Sequence, residues 1–351
     1  MCPGLNLFFG GNGQGKTNIL EGIFVSCHVR SFRAARNTDF IAFGEDAARI
    51  ELTVDSDGVT MPVVTHINGK EKRHNLAGKD NASMREIAEV LRVVFFGPED
   101  LTLVKGSPSV RREFLDRAIA LHDVEYGRCL KGYQKLLRER NLLLRDFSAG
   151  RPPPGGLMET YEEELGRHGA RLILRRKAYL EQFAPRASRF VLEHTDSSLN
   201  LEVLYDSTVP GDCEDETTLA ATMTASLGEK RRADMKAGYT ARGPHADDLD
   251  IQVNGQPARY YSSQGEQRQV AVAFKLAQLA VWREVYDVTP VLLLDDVASE
   301  LDAQRVRRLF SVVTGWQVQT LISTTSKPDV LLDDDVKLFA VEEGEIKGVS
   351  A

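Results

Sequence analysis

The chain has 351 residues, a formal net charge of −7, and 42% hydrophobic and 27% charged residues, which is the composition of a globular protein with one large core or two domains. No apolar run approaches the roughly twenty residues of a membrane span, and the N-terminus lacks the pattern of a signal peptide. We therefore expect a cytoplasmic protein with no membrane partner. The 4 cysteines and 7 histidines are scattered, which disfavours a zinc site or a disulfide framework.

The first predicted element is a short apolar strand that leads into a glycine-rich loop and then a helix. Residues 10–17 are Gly-Gly-Asn-Gly-Gln-Gly-Lys-Thr and match the phosphate-binding pattern G-x-x-x-x-G-K-T. Small side chains let successive backbone N–H groups surround a phosphate, and the following helix points its positive end at the same charge. A glycine-rich turn followed by a solvated lysine is the alternative, but we favour phosphate binding.

The phosphate-binding interpretation gives each loop residue a role. Lys16 would neutralise the β and γ phosphates, and the hydroxyl of Thr17 would bind a magnesium ion shared with them. The residues that would contact the nucleotide mainly through the backbone are Gly10, Gly11, Asn12, Gly13, Gln14 and Gly15. The predicted cofactors are ATP and Mg²⁺.

Residues 31–100 have the patterns of a mixed α/β lobe. Alternating strands are predicted at Ala48–Val54 and Met61–Ile67, with a turn at residues 55–58. Arg92–Phe96 is predicted to be a buried strand that ends at the loop of residues 97–100.

The middle of the chain is predicted to be helical. Ser107-Pro108 favours the start of a helical stretch that continues to about Asp146, and three prolines at residues 152–154 end it. A second long helix follows, in which apolar residues recur at spacings of three, four and seven. We predict an inserted helical hairpin arm at residues 108–195 and a head formed by residues 1–107 and 196–351. His168 falls in the apolar seam and is predicted to be a core or boundary residue rather than a ligand.

The predicted arm is basic although the whole chain is acidic. Residues 104–189 contain 18 lysines and arginines against 11 aspartates and glutamates. A basic segment in an acidic protein is a candidate contact surface for a phosphate backbone. A solvated helical face of mixed charge fits the composition equally well, so both interpretations stay open.

The remaining sequence returns to alternating strands and helices. The predicted elements are a strand at 199–205, a helix at 217–235, a β-hairpin of Asp248–Val253 with Ala258–Tyr261, a helix at 265–284, a strand at 291–294, a helix at 303–313 and a strand at 319–323.

The strand at 291–294 ends in two carboxylates, Asp295 and Asp296. In a P-loop protein this is the Walker B pattern, in which the first carboxylate holds magnesium and the second orients or deprotonates the attacking water. Taken alone, a strand followed by an acidic turn explains the pattern equally well. With a P-loop in the same chain, we predict that Asp295 binds Mg²⁺ and that Asp296 and Lys16 are catalytic.

Two further motifs flank the Walker B strand. Ser263-Gln264-Gly265-Glu266-Gln267 stands before a predicted helix, and Ser299-Glu300-Leu301-Asp302 follows the two acids. With the inserted arm they resemble the ABC-type ATPases, in which Ser-x-Gly-x-Gln forms a signature loop that faces the ATP of the other protomer. The resemblance implies that Ser263, Gln264 and Gly265 close the site of a second copy. An ordinary helix N-cap is the alternative role for Ser263.

Taken together, the motifs resemble the RecF family of bacterial recombination mediators, which are related to the SMC proteins. The resemblance implies an α/β fold with a P-loop ABC-type, SMC-like ATPase head and an inserted helical arm. The segments that carry it, in order over nearly the whole chain, are 10–21, 96–101, 104–116, 243–245, 263–265 and 294–302.

The resemblance also implies a function. The family's activity is ATP-dependent DNA binding in gap repair and replication-fork maintenance, with a homodimer closed around two ATP molecules and slow, DNA-stimulated hydrolysis. RecO and RecR would be partners in loading the RecA recombinase onto single-stranded gaps. The arm would contact duplex or gapped DNA with little base specificity. The candidate DNA contacts are Arg138, Arg140, Arg175 and Arg176.

The chain departs from the family pattern at three places. The family has a strand and a Phe-Arg-Asn segment ahead of the P-loop strand, which are absent here, so we expect an exposed sheet edge. Gly11 replaces a glutamate, which matters little because backbone groups hold the phosphates. Ala246 replaces an arginine, whose contacts therefore do not carry over.

Two other functions are compatible with some of the motifs. A nucleotide-binding scaffold that neither hydrolyses ATP nor binds DNA would share all of them. An ABC-type ATPase of a transporter or an effector nuclease is disfavoured, because residues 320–326 contain no histidine and the chain has no membrane segment.

Overall fold

The computed structural model describes residues 1–28, 31, 36–56, 58–151, 155–194, 199–211, 213–296, 301, 303–325 and 336–349. The chain forms two compact units, which we call unit 1 (residues 1–101 and 278–351) and unit 2 (residues 102–277). None of the helices in these ranges is long and apolar enough to cross a membrane.

The secondary structure is mixed α/β. The strands are β1 (Leu5–Phe9), β2 (Ala47–Ser56), β3 (Val59–Asn68), β4 (Lys72–Leu76), β5 (Lys79–Asp80), β6 (Val93–Phe96), β7 (Leu201–Asp206), β8 (Asp248–Val253), β9 (Gln256–Pro257), β10 (Val291–Asp295), β11 (Thr320–Thr324), β12 (Val336–Glu342) and β13 (Glu345–Val349). The helices are α1 (Lys16–Cys27), α2 (Met84–Val90), α3 (Pro108–Ala120), α4 (Val124–Ser148), α5 (Leu157–His194), α6 (Glu216–Ala237), α7 (Ala258–Tyr261), α8 (Gln264–Val285) and α9 (Ala303–Gly315).

Unit 1 is built on a six-stranded sheet in the order β13-β12-β1-β11-β10-β6. β1 pairs in parallel with β11 on one side and with β12 on the other, so no sheet edge is exposed beside β1. β10 is parallel to β11 and to β6. Because the carboxyl ends of parallel strands lie at one edge of a sheet, the loop after β1 and the acids after β10 reach the same edge.

Helix α1 packs against this sheet and is bound at its C-terminal end by a lysine of β4. Leu20 and Phe24 pack into the buried cluster that contains Phe8 and Leu293, and each such side chain contributes about 1.5–3 kcal/mol by burial. At the C-terminal end of the helix, Lys72 Nζ donates to the carbonyl oxygens of Val25 (3.0 Å) and His28 (2.6 Å). Burial lowers the pKa of Lys72 to about 8. These contacts fix the position of the helix whose first residue is the P-loop lysine.

A second sheet of unit 1 is antiparallel, in the order β2-β3-β4-β5. The predicted strands at 48–54 and 61–67 are confirmed as β2 and β3. The sequence patterns gave no prediction for β4 or β5.

Unit 2 contains the long helices. The predicted continuous helix is wrong near residue 122, because α3 ends at Ala120 and α4 begins after Asp123, whose side chain accepts from the N–H of Tyr126 (2.9 Å). α5 runs through Pro185. His168 lies in the helix seam as predicted, with Nδ1 3.4 Å from Cys129 Sγ. The three prolines at 152–154 lie outside the described residues.

The predicted end of the arm at residue 195 differs from the observed division, since unit 2 continues to residue 277. The physical reason is packing: β7 and α6 lie against α5, and β8 lies against α3. The prediction of a second strand in the hairpin is also wrong. β9 is only two residues long, and Ala258–Tyr261 forms a helical turn.

Arg140 is buried at the junction of three helices, with 0% exposure. Its guanidinium donates to Glu162 Oε1 of α5 (2.9 Å), Asp234 Oδ2 of α6 (2.9 Å) and Thr240 Oγ1 (2.7 Å). A charge removed from water in this way is tolerated because it is paired. The prediction that Arg140 contacts DNA is therefore wrong.

Arg176 is buried in a second polar network, with 1% exposure. It donates to Asp116 Oδ1 of α3 (2.8 Å), to Tyr126 Oη of α4 (3.0 Å) and to the carbonyl oxygen of Pro244 (2.7 Å). The predicted DNA contact of Arg176 is wrong for the same reason. Arg138 and Arg175 are exposed, so their DNA contacts stay predictions.

We expect Arg140→Ala to lower the free energy of unfolding of unit 2 by about 3–5 kcal/mol, because Glu162 and Asp234 would lose a buried partner. The exposed neighbour provides the control: Arg138→Ala should change stability by no more than about 0.5 kcal/mol. Denaturant unfolding followed by circular dichroism measures both. Equal stability of the two variants would contradict the structural role of Arg140.

Candidate nucleotide-binding site

The P-loop connects β1 to α1 through a tight turn. Gly15 stands at the N-cap of α1 with φ 98° and ψ 2°, a left-handed conformation that favours glycine. Gly10 lies against β12, so that a Cβ at Gly10 would be 2.3 Å from the carbonyl oxygen of Val341. A side chain at position 10 would push the loop away from the sheet.

The turn between β12 and β13 holds the P-loop through Gln14. The N–H of Glu343 donates to Gln14 Oε1 (2.6 Å), and the N–H of Gly344 donates to the Gln14 carbonyl oxygen (3.1 Å). Both turn residues have positive φ, 51° and 81°, as in a type I′ hairpin turn. These positioning residues were not predicted from the sequence, although Glu343-Gly344 between two alternating segments is a recognisable hairpin pattern.

A cavity of about 670 Å³ lies beside the P-loop. Its lining includes Gly10, Gly11 and Gln14 of the P-loop, three carboxylates, those of Glu342, Glu343 and Glu345, and one cation, Lys347, which pairs with Glu342 (2.9 Å). The excess of carboxylates disfavours a triphosphate in the cavity, so the N-terminus of α1 stays the predicted position of the phosphates.

Lys16 is nearly buried, with 8% exposure. Its Nζ donates to the carbonyl oxygens of Gly10 (2.8 Å) and Gly11 (2.7 Å). The ammonium charge therefore lies within the loop, where a β or γ phosphate would meet it.

Thr17 joins the P-loop to the Walker B strand. Its Oγ1 donates to Asp295 Oδ1 (2.9 Å), and Ser323 Oγ of β11 donates to the same oxygen (2.5 Å). The structure thus brings together the two predicted magnesium ligands, which are both hard oxygen donors of the kind that Mg²⁺ prefers. Among the described residues, no group of three or more His, Cys, Asp and Glu side chains is arranged to hold a metal ion, but Mg²⁺ that keeps water and phosphate ligands needs none.

Asp296 follows directly with a left-handed backbone, φ 50°. Its N–H donates to the Ser323 carbonyl oxygen (3.2 Å) and to Ser323 Oγ (3.0 Å). Aspartate tolerates this conformation better than most residues, and such strain is found preferentially at functional sites. Ser323, for which the sequence gave no role, therefore positions both acids.

The predicted signature loop forms the exposed N-terminus of α8. The N–H of Glu266 donates to Ser263 Oγ (3.3 Å), and the N–H of Ser263 donates to Glu266 Oε2 (2.6 Å), which is a capping box. The N-cap role of Ser263 is confirmed, while its contact with ATP stays a prediction. Ser299, Glu300 and Asp302 lie outside the described residues.

Comparison with protein families gives one match that spans almost the entire chain. The RecF/RecN/SMC N-terminal domain family matches residues 1–347. The chain is 35% identical over 355 residues to the DNA replication and repair protein RecF of Citrifermentans bemidjiense, covering 99% of this chain and 94% of that protein. It is 36% identical over 326 residues to RecF of Heliobacterium modesticaldum, covering 92% and 87%.

Solved structures give the same result for the fold. The chain matches the recombination mediator protein RecF of the RecFOR pathway, solved with ATP, at a TM-score of 0.90 and 32% identity, over 100% of this chain and 92% of that one. It also matches the Smc head domain of Pyrococcus furiosus at a TM-score of 0.55 and 17% identity, over 100% and 91%. The predicted α/β, SMC-like head is confirmed.

We expect Gly10→Ala to weaken ATP binding by at least about tenfold, equivalent to about 1.4 kcal/mol, because its Cβ would meet Val341 and displace the loop. Gly11→Ala is the matched control, since a Cβ there has 3.7 Å to its nearest neighbour, Gln14 Cγ. Titration with a fluorescent ATP analogue measures both. If the two variants bind equally well, contact with β12 does not set the conformation of the loop.

Proposed function

The chain belongs to the RecF family, and we propose that it is an ATP-dependent DNA-binding protein of recombination and gap repair that dimerises with ATP. The observation that carries the proposal is the 2.9 Å hydrogen bond from Thr17 Oγ1 to Asp295 Oδ1, because it unites the P-loop and the Walker B strand in one site. The match to RecF solved with ATP over 100% of this chain supports ATP as the nucleotide.

In the proposed site, the backbone N–H groups of residues 10–15 and the N-terminus of α1 bind the phosphates. Lys16 neutralises the β and γ phosphates. Thr17 and Asp295 would hold Mg²⁺, which when bound supplies further charge neutralisation.

Asp296 is the proposed residue that orients or deprotonates the attacking water. Its backbone is fixed by two hydrogen bonds to Ser323, so the carboxyl group starts from a defined position. We propose slow, DNA-stimulated hydrolysis whose role is to time the release of DNA.

Dimerisation would complete the site. Ser263 and Gln264 are exposed at the first turn of a 22-residue helix, where unpaired N–H groups and the helix dipole favour an anion. We propose that Ser263, Gln264 and Gly265 bind the γ-phosphate of ATP held by a second copy. ATP would then hold the two copies together.

The proposed DNA contacts lie in unit 2. Arg138 and Arg175 are exposed and remain candidates; of the two, Arg175 pairs with Asp123. By its family membership, the protein is proposed to act with RecO and RecR in loading RecA onto gapped DNA.

We expect wild-type protein to sediment as a dimer with ATP and Mg²⁺, and Ser263→Ala to bind ATP but remain monomeric. Ser263→Ala also costs about 1 kcal/mol of helix capping, so a second variant is needed. Ser263→Asp keeps the cap but places a carboxylate against the phosphate, and it should also remain monomeric. Dimerisation of Ser263→Asp with ATP would show that position 263 acts only as a helix cap. A wild-type protein that stays monomeric with ATP would refute the proposed dimer.

A further inference from the structure

One face of α4 is lined with exposed cations. They are Arg128, Lys131, Lys135, Arg138 and Arg145, and we call them the basic stripe. Their spacings of three, four, three and seven residues place them within an arc of about 100° on the helix. At 1.5 Å per residue the stripe is about 26 Å long.

The opposite face of α4 fixes the orientation of the stripe. Tyr126, Tyr133, Arg140 and Leu144 are buried, and Arg140 is bound to α5 and α6 by its ion pairs. Tyr133 Oη lies 2.7 Å from His245 Nδ1. The helix therefore cannot rotate to hide the stripe without breaking these buried contacts.

The charge of the stripe is only partly neutralised. Arg128 pairs with Glu125, and Lys135 has a loose contact of 3.9 Å with Glu139. Lys131, Arg138 and Arg145 have no acidic partner within the described part of the chain. The Nε of Arg145 donates to the carbonyl oxygen of Asn141 (3.2 Å). Exposed pairs are worth about 0–1 kcal/mol, so Arg128 and Lys135 can also turn to an external anion.

On the neighbouring helices α3 and α5, exposed arginines are paired with acidic residues. On α5, Arg167 pairs with Glu164 and Arg171 pairs with Glu216. On α3, Arg117 pairs with Glu113. These exposed arginines of α3 and α5 have acidic partners of their own. Helix α6 has only two exposed cations, Arg232 and Lys236, so the longest line of incompletely paired positive charge lies on α4.

We propose that the basic stripe of α4 is a docking surface for the phosphate backbone of duplex DNA. The inference rests on the DNA binding proposed above and names the surface that performs it. Successive phosphates of one strand are about 3.4 Å apart along the axis of a duplex. A stripe of about 26 Å is therefore as long as roughly seven or eight phosphates of one strand.

The composition of the stripe favours a duplex over a single strand. Proteins that bind single strands combine basic grooves with aromatic side chains on which bases stack. The same arc also contains Leu142, with 55% exposure, and Asp146, which pairs with the exposed Arg151; neither of these side chains, and none in the stripe, is aromatic. Contacts to phosphates position the DNA and carry no base information, so binding is independent of sequence.

The test compares two triple variants that remove the same net charge. Lys131→Gln/Arg138→Gln/Arg145→Gln neutralises the stripe, and Arg117→Gln/Arg167→Gln/Arg171→Gln neutralises three exposed arginines elsewhere. Fluorescence anisotropy with a labelled duplex, in ATP and Mg²⁺ at several salt concentrations, measures affinity. Circular dichroism checks that both variants are folded.

The stripe variant should lose at least about tenfold in duplex affinity at low salt. The slope of log affinity against log salt concentration should become shallower by about 2–3, since each phosphate contact contributes about 0.9 to it. The control triple should stay within about twofold of wild type. Equal losses in the two triples would overturn the assignment to α4. So would a stripe variant that binds duplex normally, or one that loses only single-strand binding. If wild-type protein binds no DNA under any condition, the proposed function itself fails.

Discussion

The hydrogen bond between Thr17 and Asp295 is the contact on which the nucleotide site depends. It exists because β1 and β10 are parallel and are separated only by β11, so that the loop after β1 and the acid that ends β10 meet. Ser323 of β11 binds Asp295 through its hydroxyl and Asp296 through its backbone and hydroxyl oxygens. Lys16 follows the loop after β1, the two acids lie at the end of β10, and the serine that positions them lies on β11.

In unit 2, two buried arginines connect neighbouring helices through hydrogen bonds and ion pairs. Arg140 binds α5 and α6 to α4, and Arg176 binds α3 and the segment at Pro244 to α5. Arg138, two residues from Arg140 on the same helix, faces solvent. On α4, an arginine of the buried face therefore binds neighbouring helices, and arginines of the exposed face, in our proposal, bind DNA.

The local motifs were predictable from sequence because each is a short segment with fixed spacing. Gly10 to Thr17 and the pair Asp295-Asp296 are in this class. The burial of Arg140 and Arg176 was not predicted, because a charge count over a segment does not say which helix face each residue occupies. The spacing from Tyr133 to Arg140 to Leu144 does place Arg140 on the apolar face. The contact of Gln14 with Glu343 joins residues 329 apart, and no local pattern connects them.

The central claim, that the P-loop and the Walker B strand form one Mg²⁺–ATP site through Thr17, is tested most directly by calorimetric titration of ATP. Wild type, Thr17→Ser and Thr17→Val would be compared in Mg²⁺ and in a chelator. We predict that Mg²⁺ tightens ATP binding in wild type and in Thr17→Ser but not in Thr17→Val, and that all three bind alike in the chelator. The same gain from Mg²⁺ in Thr17→Val as in wild type would contradict the account.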